Sequence, residues 1–216
     1  GSLLLDADKI DFAKSEFYIN TIDLDRPYFS LEDFDGRRPA IVDTASGADT
    51  TLYFNAGGIK LSVNKLNITN GYFGSLKRGD IPENGLFDGA NIQVRKLNGT
   101  LTGFSFIEDT MRADISLSAV ERSGLELKKL KADFKLTPQL MEFSKLLLQT
   151  NNSTLSDYYA MHFKDFNEDM QDFVEKVTIE ARIKNSQVHS DDITFFAPTL
   201  KTWNKKFDLS GKMLGT

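Results

Sequence analysis

Apolar positions alternate with polar ones over most of this chain, which is the signature of strands with one face turned to water. Met111, Ala113, Ile115, Leu117 and Ala119 alternate with Arg112, Asp114, Ser116 and Ser118. Val177, Ile179, Ala181 and Ile183 alternate in the same way with Thr178, Glu180, Arg182 and Lys184. Strands of a parallel α/β sheet are covered on both faces and read as continuous apolar runs, so this pattern predicts antiparallel sheet.

The alternation carries a recurrent interruption. LSVNKLNI places Leu61 and Val63 before Asn64-Lys65, and Leu66 and Ile68 after it. The same frame recurs in FYINTIDL (Phe17, Ile19, Ile22, Leu24) and IQVRKLNG (Ile92, Val94, Leu97). It appears again in LELKKLKA (Leu125, Leu127, Leu130, Ala132), in MEFSKLLL (Met141, Phe143, Leu146, Leu148) and, shortened, in VEKVTI (Val174, Val177, Ile179). On a straight strand the second apolar pair would point away from the first. The wedge residues are poor tight-turn formers, since two-residue hairpin turns favour Gly or Asn at positive φ. A bulge or bend at each wedge instead restores the parity and brings both pairs to one face.

The second wedge residue falls at 21, 65, 96, 129, 145 and 176, separations that cluster near one or two lengths of about 16 residues. In addition, IDLDRPYF matches LNITNGYF at an offset of 44, placing Pro27 over Gly71 and Tyr28-Phe29 over Tyr72-Phe73. The chain is therefore a repeat of bent strands. The expected fold is mainly β: a curved, extended antiparallel repeat sheet, a single elongated domain over residues 1–216 with a continuous apolar inner surface.

Two stretches depart from strand patterning. DFNEDMQDFVEKV spaces Phe166, Met170, Phe173 and Val174 at helical intervals, with acids early and a lysine late, and predicts a short helix at 165–177. Residues 191–203, holding Phe195, Phe196 and Pro198, predict a short helical turn or loop. Asn70-Gly71 predicts a tight hairpin and Thr137-Pro138 another turn. The polar, turn-rich stretches 33–50 and 77–85 are expected to be mobile loops.

Composition narrows the function classes. A net charge of -5 and a pI near 5.1 give no general attraction to nucleic acid or anionic headgroups. With no cysteine there is no thiol catalysis, disulfide or thiolate metal site. No apolar stretch approaches the ~18 residues that span a bilayer. Gly1-Ser2 reads as a cloning remnant, and strand patterning runs almost from end to end, so the chain is expected to be a piece of a longer protein. The 17 phenylalanines, against 6 tyrosines and 1 tryptophan, leave two readings open: an ordinary dry β core, or an apolar surface with a task of its own.

Candidate chemistry is sparse. His162 and His189 lack acid-base or metal-ligand partners at useful spacing, and Gly57-Gly58 lacks a phosphate-binding frame. Asp6/Asp8, Asp23/Asp25, Asp33/Asp35 and Asp191/Asp192 are not followed by a full EF-hand ligand series, so they read as solvated turn carboxylates. Asn67-Ile68-Thr69, Asn98-Gly99-Thr100 and Asn151-Asn152-Ser153 match glycosylation acceptors, but the first two lie in predicted strands. Trp203 reads as a packing residue rather than a ligand platform. Lysines 65, 96, 129, 145 and 176 read as gatekeepers that keep outer faces soluble, ahead of a headgroup-binding role. No enzyme activity, cofactor or metal is expected.

The bent amphipathic strands resemble those of the AsmA-like superfamily, in particular TamB-type envelope proteins. The carriers are KLNITNGYF (65–73), SLSAVERSGLELKKLKADFKLTP (116–138), LLLQTNNSTLSDYYAMHF (146–163) and VTIEARIKNSQVHSDDITFFAPTLK (177–201). The resemblance implies a U-shaped β-groove, or β-taco, anchored in the inner membrane and crossing the periplasm of a diderm bacterium. It also implies phospholipid transport along the groove, or assembly work beside an outer-membrane barrel partner engaged through parts absent from this chain.

The leading expectation is thus a segment of an envelope lipid conduit in outer-membrane biogenesis, with acyl chains against Leu61, Val63, Leu66, Ile68, Val94, Leu97, Leu125, Leu127, Leu130 and Phe134. The alternative is a structural β-repeat module whose same residues form a closed core and which binds protein. A glycan-processing enzyme on a β-solenoid is disfavoured, because no paired carboxylates sit in a recognisable frame.

Overall fold

A computed structural model of the chain describes residues 1–33, 54–77, 79, 81–164, 169 and 173–215. These form one curved, open sheet of 11 strands. The strands are β1 (Ser2–Asp11), β2 (Glu16–Asp25), β3 (Tyr28–Asp33), β4 (Lys60–Lys77), β5 (Asn91–Ile107) and β6 (Thr110–Glu121). They continue as β7 (Glu126–Thr137), β8 (Leu140–Gln149), β9 (Thr154–His162), β10 (Thr178–His189) and β11 (Lys206–Gly215). Helices are short: α1 (Phe173–Lys176), α2 (Ser190–Ile193) and a 3₁₀ turn at Pro198–Leu200. The expected helix at 165–177 falls partly outside the described residues, as does most of the polar loop 33–50.

Strand order is β1-β2-β4-β5-β6-β7-β8-β9-β10-β11, with β3 beside β4. Every pair is antiparallel except those that β2 and β3 make with β4. This parallel ladder is the 44-residue repeat folded onto itself. Ile22 lies beside Leu66 and Asp23 beside Asn67, whose Nδ2 donates to the Asp23 Oδ1 at 2.6 Å. Tyr28 stacks on Tyr72 at 4.6 Å between ring centroids, and Phe29 on Phe73 at 5.9 Å. Parallel in-register pairing sets like beside like, which rewards flat aromatic stacking and side-chain amide ladders. The sequence offset established equivalence of the two copies but not the direction of their pairing.

The wedges are bulges. The ladder from β8 to β9 passes from Ser144↔Tyr158 to Leu146↔Asp157, so Lys145 is an extra residue in β8, and it takes a left-handed φ of 50°. Around Lys96 (φ 49°) the β5 register slips against both β4 and β6. β7 carries an extra residue between Leu127 and Leu130. At Asn64-Lys65 the ladder with β5 is unbroken, because the bulges of adjacent strands align. The β1–β2 register slips by one at Asn20 and returns at Asp8, Asn64 is the partner of Asn20 in β4, and Gly103 (φ 60°) is extra in β5 relative to β6. Asn64 Nδ2 donates to Asn20 Oδ1 at 3.2 Å and Asn20 Nδ2 to Asp8 Oδ1 at 2.7 Å, so a polar row crosses β1, β2 and β4 at the bulge.

Two expectations need correction. Asn70-Gly71 is no hairpin: it lies inside the 18-residue β4, where Asn70 (φ 51°) is the bulged residue. A residue at positive φ serves a bulge as well as a turn. Gly71 follows because a Cβ there would come 3.1 Å from both Pro27 Cγ and Ile68 Cγ2. The VEKVTI copy is not a bent strand either. Its wedge, Glu175-Lys176, ends α1, and the strand starts only at Thr178. Helical spacing in the preceding residues overrides the shortened frame.

Candidate functional site

Residues directly opposite each other in a sheet share a face. Val63 is paired with Phe104 and Leu66 with Leu101, and both partners pack against the buried cluster of Ala113, Ile115, Ala132 and Leu146. Ile68 is paired with Gly99, which in turn faces Leu117 of the same cluster, and Leu61 is paired with Phe106, which faces Met111. The two apolar pairs of β4 therefore lie on one face despite their opposite parity.

The same face continues across the sheet. β2 presents Phe17, Ile19, Ile22 and Leu24 beside the β4 residues, and Leu130 and Phe134 of β7 pack on the cluster with Phe143 and Leu148 of β8. Leu127 opposes Ala119, and Val94 opposes Phe73. Leu97 stands opposite Gly71. Of the ten expected groove residues only Leu125 is outside a strand, half-buried in the turn before β7. Val63 is 2% exposed, and the other nine are half-buried.

Phe163 is a buried phenylalanine, whereas Phe17, Phe73, Phe104, Phe106, Phe134 and Phe143 are half-buried. Among the described residues the extensive contacts between strands are all between sheet neighbours. The wedge lysines Lys65, Lys96, Lys129 and Lys145 are exposed. Lys145 pairs with Asp133 at 2.7 Å, and this hydrogen bond raises its pKa.

The opposite face is polar, with one feature absent from the sequence reading. Tyr158 is 7% exposed, beneath Arg182, whose guanidinium carbon is 3.9 Å from the ring centroid. Burial first, then a hydrogen bond to Glu142, push the phenol up to about 12. His162 Nε2 lies 3.2 Å from Glu180 Oε2. The carboxylates do not converge: among the described residues no three His, Asp or Glu side chains form a metal-ligating group. Beside the Lys145 bulge an open cleft of about 300 Å³ is lined by Arg112, Asp114, Asp133, Lys135 and Glu142 among others. Its charges alternate in sign, so it offers no concentrated field to an ionic ligand.

Asp192, read as a solvated carboxylate, is 6% exposed. It accepts from Thr150 Oγ1 at 2.5 Å and from the Asn152 backbone N and Nδ2, both at 2.9 Å. Burial works against its charge, but the hydrogen bonds from Thr150, Ser153 and Asn152 outweigh it and hold the pKa below the ordinary value. These partners lie about 40 residues away in sequence, so no local motif announces them. Asp191 beside it is exposed. Comparison with protein families, curated proteins and solved structures finds no match for this chain.

Proposed function

We propose that the apolar face shelters phospholipid acyl chains and lets them slide along the sheet, as part of an inner-membrane-anchored periplasmic protein that serves outer-membrane biogenesis. The carrying observation is the run of half-buried Phe, Leu, Ile and Val side chains on one face of the bulged strands, whose extensive strand contacts are with sheet neighbours. A buried methylene is stabilised by about 0.8 kcal/mol, and that stabilisation changes little between neighbouring positions on a uniform face. Acyl chains would therefore be held without a deep minimum, while headgroups stay in water beside the exposed lysines. The half-buried phenylalanines favour this reading over a closed protein-binding core. An outer-membrane barrel would be engaged through other parts of the longer protein.

Photo-crosslinking tests the reading. A photoreactive residue at Leu66, Leu130 or Phe134 should capture phospholipid from vesicles, whereas one at Lys65, Lys131 or Lys135 should not. Equal labelling of both faces, or of neither, would refute it.

A further inference from the structure

The segment between β10 and β11 carries an ordered turn that brings cations and aromatic rings together. Its root is firmly tied. Ser190 N donates to Lys205 O at 2.8 Å, Lys205 N donates to Ser190 Oγ at 2.9 Å, and Asp192 holds Thr150 and Asn152. Above the root, the 3₁₀ turn at Pro198–Leu200 runs on to Trp203, whose backbone N donates to Leu200 O at 3.0 Å. Asn204 then takes a left-handed φ of 43° before β11 begins. The side chains of this turn are therefore displayed from a hydrogen-bonded backbone.

Their charge departs from that of the chain. Residues 198–206 contain three lysines, Lys201, Lys205 and Lys206, and no acid, whereas the whole chain carries -5. All three lysines are exposed, and among the described residues none forms an ion pair. The acids nearest in sequence are engaged elsewhere. Asp192 is buried at the root, Asp208 accepts from Gln187 Nε2 at 2.9 Å, and the exposed Asp191 lies 3.4 Å from His189 Nδ1.

Trp203, the chain's one tryptophan and expected as a packing residue, is 51% exposed. Its ring lies 6.5 Å from that of Phe207, itself 37% exposed, so the two rings lean on one another with much of their apolar surface in water. Among the described residues the indole N–H has no hydrogen-bond partner. An apolar ring with an unmet polar edge, flanked by lysines, fits the boundary where tryptophan settles between headgroups and acyl chains and lysines meet anionic phosphate.

We propose that the turn at 201–207 docks this end of the sheet on an anionic phospholipid bilayer. Trp203 and Phe207 enter the headgroup boundary, and Lys201, Lys205 and Lys206 meet phosphate. The net charge of the whole chain opposes such contact, so docking depends on this local excess of cations. It needs the turn alone and does not depend on acyl chains entering the apolar face.

Because Trp203 is the one tryptophan, its fluorescence reads the contact without a label. Vesicles of equal parts phosphatidylcholine and phosphatidylglycerol should shift its emission to the blue, and lipid brominated on the acyl chain should quench it. Phosphatidylcholine vesicles should do neither. Each lysine near an anionic surface adds roughly fivefold in affinity, so replacing Lys201, Lys205 and Lys206 together by Gln should weaken binding about a hundredfold. Replacing the exposed Lys14, Lys131 and Lys164 by Gln gives the same net charge and should leave binding nearly unchanged. No blue shift with the anionic vesicles, an equal shift with phosphatidylcholine alone, or equal weakening in the two triple variants would overturn the docking site. A blue shift that persists while Leu66, Leu130 and Phe134 capture no phospholipid would remove the conduit reading and leave this surface standing.

Discussion

The centre of the sheet and its last strand obey the same alternation yet live in different surroundings. On one apolar face, Ala113, Ala132 and Leu146 are 5%, 3% and 7% exposed, while Phe207 and Met213 of β11 are 37% and 55% exposed. In both regions the extensive contacts between described strands are only with sheet neighbours. Burial in the centre comes from lateral neighbours, with Phe104, Phe134 and Phe143 leaning over the small residues, and β11 has a neighbour on one side only. A single-layer sheet thus stabilises itself where large and small side chains interdigitate across adjacent strands. Its edges keep apolar surface available.

The largest effect separating the two regions should come from deleting Lys145. Loss of the bulge turns Leu146 and Leu148 to the polar face, at roughly 1.5–3 kcal/mol for each large side chain. A domain of ordinary marginal stability should then unfold or aggregate. Deleting Gly211 from the exposed edge should leave the urea transition of the remainder nearly unchanged. A deletion at 145 that folds normally would remove the bulge argument.

Truncation is the next comparison. Leu146→Ala should cost about 2–5 kcal/mol, as for other filled core sites. Met213→Ala, at an exposed position, should stay within about 0.5 kcal/mol. Similar losses in urea titrations of the two variants would mean that the centre is no better packed than the edge.

The Asp192 root should fail in acid. Its folded pKa lies below the unfolded value of about 3.9, so its contribution is complete above that value and is lost as pH falls through the folded pKa. The gap in thermal midpoint between wild type and Asp192→Asn should therefore be widest near neutral pH and shrink below roughly pH 4. A gap that holds constant down to pH 3 would exclude a charged Asp192 as the anchor.

The smallest effect is at the backbone. Lys145 occupies a left-handed conformation that glycine adopts without strain, so Lys145→Gly should be neutral or stabilising by up to about 1 kcal/mol. Lys145→Val should destabilise, since a β-branched residue tolerates that conformation poorly.

Much of this architecture was legible because parity is a strict constraint. Two apolar pairs at opposite parity must either face opposite sides or be joined by an extra residue, and Lys96, Lys145 and the Lys128-Lys129 step show the second solution. Asn70-Gly71 misled because its chemistry reports a need for positive φ, which turn and bulge share. The parallel ladder was hidden because equivalence of repeats does not fix how they pair. Asp192 was hidden because burial of an ordinary-looking carboxylate depends on Thr150 and Asn152, brought to it only by the meeting of two loops. The Tyr158–Arg182 stack likewise joins adjacent strands through register alone.

The central claim is that the apolar face of this open sheet accepts acyl chains. Native mass spectrometry of the purified chain mixed with phospholipid tests it most directly, with Leu66→Asp alongside as a folded control checked by circular dichroism. The account predicts lipid-bound species for the wild type and their loss in Leu66→Asp, which sets a charge in the middle of the face. Absence of lipid adducts from the wild type, or equal adducts on both proteins, would contradict it.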